Sequence, residues 1–204
     1  MADTVFIVDD DQAVRHALHF TLKNAGFEVQ LYASAQEFID TYRSTAPGCM
    51  VLDVRMPGMS GLDLQAVLER YSVTLPVIIL TGHGDVTMAV RALKQGAFDF
   101  LEKPFDNDRL IARIREAIAQ HKLNRHRDQR LSALRERVER LKPRERRVLD
   151  GIVAGYSNKM MAARLHVSIS TIESHRRDLM VKLEAENLSD LVRIGLALQG
   201  IDED

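Results

Sequence analysis

Three short apolar runs, each ending in a charged residue, constrain the fold of this chain most. Val5-Phe6-Ile7-Val8 ends in Asp9-Asp10-Asp11, Cys49-Met50-Val51-Leu52 ends in Asp53, and Phe98-Asp99-Phe100-Leu101 leads to Glu102-Lys103-Pro104. Runs this short, without polar alternation, read as strands covered on both faces of a parallel sheet. In an open α/β sheet the reactive crevice lies outside the carboxyl ends of the strands. Carboxylates and a lysine from three strands are therefore expected to meet in one pocket. Clustered acids call for a hard cation, and Mg²⁺ suits carboxylate and carbonyl oxygens. The lysine supplies a mobile positive charge for an anion, a phosphoryl group above all.

The pattern around these runs supports the sheet. Strands are expected near 4–8, 27–31, 48–52, 76–80 and 98–101. Between and after them, Val14, Leu18, Leu22 and Ala25, then Leu62 to Leu68, then Val86, Ala89, Val90 and Leu93, then Ile111, Ile114 and Ile118 recur at helical spacing. Five strands alternating with five helices predict a doubly wound five-stranded parallel sheet with right-handed crossovers. Asp53 stands where a carboxylate could attack phosphorus, with Asp9, Asp10 and the main-chain carbonyl of Arg55 beside it for a metal. Thr81, at the end of the fourth strand, offers a hydroxyl.

Beyond residue 122 the strand signal ends. Residues 122–142 hold no glycine or proline, and Leu131, Leu134, Val138 and Leu141 follow an a/d spacing for under two heptads. That is too short for a strong coiled coil and reads as a helical linker. From Pro143 the period is helical only. Segments 144–154, 158–165, 171–183 and 188–198 are expected as helices, with Ser157 or Asn158 capping the second. Ser170 with Glu173 is expected to form a capping box for the third. Two short helices joined by a tight turn suggest a helix-turn-helix. The resulting division is 1–122, a linker over 123–142, and 143–204.

Charge follows the same division. Residues 1–122 carry 16 acids against 12 bases, and residues 123–204 carry 13 against 16. The basic half is the candidate for nucleic acid. No apolar stretch approaches a membrane span. The acidic start enters a strand at once, so no signal peptide is visible. The single cysteine, Cys49, lies inside an apolar run and reads as inert core. A reducing cytoplasm, and no membrane partner, are expected.

Val8-Asp9-Asp10, the stretch from Asp53 to Gly61, Thr81-Gly82-His83-Gly84-Asp85 and Lys103-Pro104-Phe105 resemble the receiver domain of bacterial two-component response regulators. The segments Pro143–Leu149, Ser157-Asn158-Lys159, Ala162–Leu165 and Ser168–Arg176 resemble the DNA-binding domain of the LuxR/NarL family, and the whole chain resembles FixJ-type regulators. The resemblance implies a flavodoxin-like strand order 2-1-3-4-5, with a cis peptide before Pro104. It implies Asp53 as phosphoacceptor, and Asp9, Asp10, Asp53 and the Arg55 carbonyl as the Mg²⁺ site. Thr81 and Lys103 become the switch hydroxyl and the phosphate-sensing lysine, and Phe100 the switch aromatic. A cognate histidine kinase, promoter DNA and homodimerisation on activation follow as partners, and RNA polymerase is admitted as another.

On the recognition helix, Glu173, Ser174 and Arg177 fall on the face opposite Ile172, Leu179 and Leu183. Arg177 is the expected base reader, since Arg bonds guanine O6 and N7 together. Lys159, Thr171, His175 and Arg176 are expected phosphate contacts. Leu188, Leu191, Val192, Ile194 and Leu198 of the last helix offer apolar surface for a dimer. Two rival readings remain at this point. One is a DNA-binding regulator indifferent to phosphorylation. The other is a phosphatase with an aspartyl intermediate, which needs a second acid two residues after Asp53, where Arg55 stands.

Overall fold

The structure, a computed structural model, describes residues 3–44, 46–82 and 86–199. His83, Gly84, Asp85, the residues from Gly200 onward and the side chains of Val86 and Gln199 lie outside the described residues. The chain forms two compact units, Met1–Arg125 and His126–Asp204.

The first unit is a five-stranded parallel sheet in the order β2-β1-β3-β4-β5. Its strands are β1 (Thr4–Val8), β2 (Glu28–Tyr32), β3 (Gly48–Asp53), β4 (Val77–Thr81) and β5 (Asp99–Glu102). Its helices are α1 (Gln12–Asn24), α2 (Ala35–Thr41), α3 (Gly61–Val67), α4 (Val86–Lys94) and the first part of α5 (Asn107–Glu139). Every residue of β1, β3 and β4 is buried. That is the burial expected of strands with helices on both faces. One face packs Phe6, Met50, Leu52 and Ile79 against α2, α3 and the buried Ala92 of α4. The other packs Val5, Ile7, Val51, Ile78 and Leu80 against Leu18 and Leu22 of α1 and Leu110, Ile114 and Ile118 of α5. Alternate residues of each strand thus feed opposite cores, as the strand period of two requires. Cys49 is fully buried, and burial pushes its thiol pKa up, in keeping with an inert core residue.

The second unit is helical among its described residues. The end of α5 is followed by α6 (Pro143–Val153), α7 (Asn158–Leu165), α8 (Ile169–Lys182) and α9 (Leu188–Gln199). Its core joins Val138, Leu141, Val148, Leu149, Ile152, Met161, Ile172, Leu179, Leu183 and Leu191. The a/d residues Val138 and Leu141, with Leu134 against them, are thus spent on the packing of this unit.

Two local expectations are corrected. The cap of α8 is Ser168, not Ser170. Ser168 has extended backbone angles, and its Oγ accepts from the Thr171 N–H at 3.1 Å. His166 turns the chain through a left-handed conformation (φ 54°), which ends α7 and brings Ser168 into the capping position. Ser170 falls in the first turn, so Glu173 is not its capping partner. The second correction concerns α9. Leu191 is buried, and Val192, Ile194 and Leu198 pack on the core of their own unit. Of the five expected residues Leu188 stays exposed, and Leu196, which was not expected, is exposed on the same helix.

Candidate functional site

The acidic pocket begins with how three consecutive aspartates are divided. Asp11 caps α1, its Oδ1 accepting from the Ala13 N–H at 2.7 Å. Asp9 turns inward and is 2% exposed, while Asp10 remains exposed beside it. Asp53, at the end of β3, is 7% exposed. The order of the strands sets β1 beside β3, with Val8 level with Leu52, so the two carboxylates leave the sheet side by side. Gly61 makes room for this turn. A Cβ there would stand 2.1 Å from the Asp53 carbonyl oxygen.

Lys103 closes the pocket. It follows β5, and its N–H donates to the Thr81 carbonyl at 2.7 Å. Its Nζ donates to Asp9 Oδ2 at 2.8 Å and to Asp53 Oδ1 at 2.6 Å. The remaining carboxylate oxygens are held by backbone. Asp9 Oδ1 accepts from the Asp11 N–H at 2.8 Å, and Asp53 Oδ2 from the Arg55 N–H at 2.6 Å. Burial holds the Asp9 carboxyl above its ordinary pKa, against the pull of Lys103 and the Asp11 N–H. Burial also works against the charge on Lys103, but its bonds to Asp53 and Asp9 outweigh it and leave the ammonium harder to deprotonate than usual. The peptide before Pro104 is cis. Thr81 is buried at the end of β4, and Phe100 is half-buried against the Phe6–Ile79 core.

The donor chemistry fits Mg²⁺. Carboxylates and the Arg55 carbonyl are hard oxygens. Among the described residues no three acidic, histidine or cysteine side chains stand close enough to hold an ion by themselves. Mg²⁺ is usually held by one or two carboxylates, with water and phosphate oxygens completing its shell. Two carboxylates and a carbonyl meet that requirement.

In the second unit, α7 and α8 form the helix-turn-helix. Ser157 caps α7, its Oγ accepting from the Met160 N–H at 3.2 Å. Ile172, Leu179 and Leu183 are buried, which leaves Glu173, Ser174 and Arg177 exposed on the opposite face. Lys159 is exposed on α7. Thr171, His175 and Arg176 are half-buried, and Arg176 donates to Asn158 Oδ1 at 2.9 Å, tying α8 to α7. The sequence reading did not find Glu145. Only 2% exposed, it accepts from the Lys142 N–H at 2.8 Å and pairs with Lys182 at 2.7 Å, joining α6 to α8. Its one signal in sequence is an acid three residues after the position that caps α6.

An acid–acid–lysine pocket at the carboxyl end of this sheet, joined in one chain to a helix-turn-helix, defines a response regulator. Residues 5–115 match the response regulator receiver domain, and residues 139–194 match the bacterial regulatory proteins of the luxR family. The chain belongs to the FixJ/NarL family of two-component transcriptional regulators. It is 44% identical over 192 residues to the transcriptional regulatory protein FixJ of Bradyrhizobium diazoefficiens, covering 94% of each. It is 41% identical to the response regulator protein TodT of Pseudomonas putida over 95% of this chain and 85% of that protein. The solved structure of response regulator StyR superposes with a TM-score of 0.86 at 39% identity, covering 95% of this chain and 98% of that one.

Proposed function

We propose that Asp53 accepts a phosphoryl group from a histidine kinase, that Mg²⁺ assists, and that the receiver then promotes dimerisation and promoter binding by the second unit. The observation that carries this is the Lys103 ammonium bonded to both Asp9 and Asp53. In the transfer, an Asp53 Oδ forms the new P–O bond while the P–N bond to the kinase histidine breaks, and that nitrogen keeps the electron pair. When bound, Mg²⁺ neutralises the phosphoryl oxygens so that an anionic carboxylate can approach them. Asp9, Asp10, Asp53 and the Arg55 carbonyl would hold it.

The new group brings about −1.5 to −2 charges into an acidic pocket. Lys103 follows that charge, and Thr81 supplies a hydroxyl to the phosphoryl oxygens. Phe100 repacks as Thr81 moves, which changes the surface of α4, β5 and the start of α5. A local charge that biases a two-state surface is what a switch requires. Arg177, Glu173 and Ser174 read bases, and Lys159, Thr171, His175 and Arg176 hold phosphates. Residues 1–122 are the receiver, 123–142 the helical connection, whose last turns also pack into the second unit, and 143–204 the rest of the DNA-binding domain. The protein works in the cytoplasm, as a switch rather than a turnover enzyme.

The test compares DNA affinity of the wild type and Asp53→Asn before and after acetyl phosphate with Mg²⁺. Tighter binding by the treated wild type alone is expected. Equal affinities would favour the regulator indifferent to phosphorylation. Steady phosphate release from small phosphomonoesters that depends on Asp53 would favour the phosphatase.

A further inference from the structure

A cavity of about 110 Å³ opens beside the recognition helix, lined by Arg144, Arg147, Leu165, Val167 and His175. Arg144 and Arg147 come from the first two turns of α6, Leu165 from the end of α7, Val167 from the turn that follows it, and His175 from α8. Three groups able to carry positive charge therefore face one small space with an apolar floor. Neither arginine has an acidic partner among the described residues, although elsewhere in this unit Arg137 pairs with Glu184 and Arg193 with Asp190. The Nδ1 of His175 is buried and has no hydrogen-bond partner. A buried ring nitrogen left unpaired is costly, and in native proteins it generally marks a missing partner. Planar guanidiniums are suited to oxygens of a phosphate held at two points.

We propose that Arg144, Arg147 and His175 form a seat for one tetrahedral oxyanion, and that its occupant is a DNA backbone phosphate next to the groove entered by α8. The placement rests on the reading of α8 as the recognition helix. It adds α6 to the DNA surface, and it gives His175 a defined task as one of three donors around a single phosphate. Such a contact fixes the register of α8 and carries no sequence information itself.

The test uses the full chain. A 20-base-pair duplex is titrated across a salt series with the wild type, with Arg144→Gln/Arg147→Gln, and with Arg177→Ala. Separately, inorganic phosphate is titrated without DNA while the His175 ring resonances are followed. Loss of one phosphate contact lowers the slope of log K against log salt by about 0.9. Near 0.1 M salt that is roughly five- to tenfold weaker binding, equal on all duplex sequences. This result in the double variant supports the DNA phosphate. An unchanged slope, with His175 resonances that move on phosphate addition in the wild type and not in the double variant, keeps the seat and assigns it to a free anion. An unchanged slope with no response to phosphate overturns it. If Arg177→Ala leaves DNA binding unaltered, the reading of α8 fails, and the phosphate titration still decides the seat.

Discussion

Lys103 carries the acidic pocket, because two buried carboxylates 2.6 and 2.8 Å from one ammonium repel each other once it is removed. Lys103→Ala is expected to destabilise the receiver by about 2–4 kcal/mol, since an unpaired buried charge costs more than its pair contributed. Urea unfolding of the receiver checks this, and an unchanged midpoint would count against it. Asp53→Asn removes one of the two charges and is expected to cost less. A second residue of this kind is His121, 5% exposed near the end of the receiver part of α5. Its Nδ1 lies 3.0 Å from the Gly48 carbonyl, and Nε2 lies 3.5 Å from the Thr74 hydroxyl. Burial lowers its pKa, against the pull of the Gly48 carbonyl and with help from Arg125. The unfolded chain therefore binds a proton more readily, so stability is full above the ordinary histidine value of about 6.5 and falls as pH drops below it. Unfolding of the receiver between pH 5 and 7.5 should show that slope, and His121→Gln should flatten it.

At the scale of elements, α6 and α8 are joined by a charge pair whose carboxylate is buried and whose ammonium reaches solvent. Glu145 is held below its ordinary pKa. Burial opposes that shift, and the Lys182 ammonium with the Lys142 N–H outweighs burial. The stability it contributes is present above the unfolded value of about 4.3 and is lost as pH falls through the lower folded value. Glu145→Ala is expected to cost about 2–3 kcal/mol at pH 7, reduced from the fully buried case because Lys182 reaches solvent. A matching loss in a midpoint measured at pH 7, shrinking toward pH 3, is the signature.

The cap of α8 gives a smaller effect. Ser168→Ala should cost about 1 kcal/mol and Ser170→Ala much less. These two devices also show where sequence reading stopped. The central strands β1, β3 and β4 and the acidic pocket were legible because these strands are almost wholly apolar runs whose carboxyl ends are fixed by chain direction. The choice between Ser168 and Ser170 was not, because both residues cap well and the left-handed turn at His166 decides between them. Glu145 and Lys182 are 37 residues apart, a distance no local period reports.

At the scale of the whole chain, the question is where the second unit begins. A division drawn from the absence of strands, glycine and proline places a linker over 123–142. Yet Val138 and Leu141 are buried in the core of the second unit, with Leu134 packed on it. Composition cannot separate a charged solvated helix from one whose every third or fourth residue enters a neighbouring core, since both look amphipathic and highly charged. The compact unit starts at His126. Two fragments therefore behave differently. Residues 126–204 retain Leu134, Val138 and Leu141, and should fold alone with a cooperative thermal transition and bind duplex DNA. Residues 143–204 lose these three side chains and leave the apolar surface beneath them open. Deleting a single buried leucine costs about 2–5 kcal/mol, and a domain this small has a total stability of the same order. The shorter fragment should therefore be largely unfolded at 25 °C by circular dichroism. Equal stability of the two fragments would show that the last turns of α5 serve only as a connection.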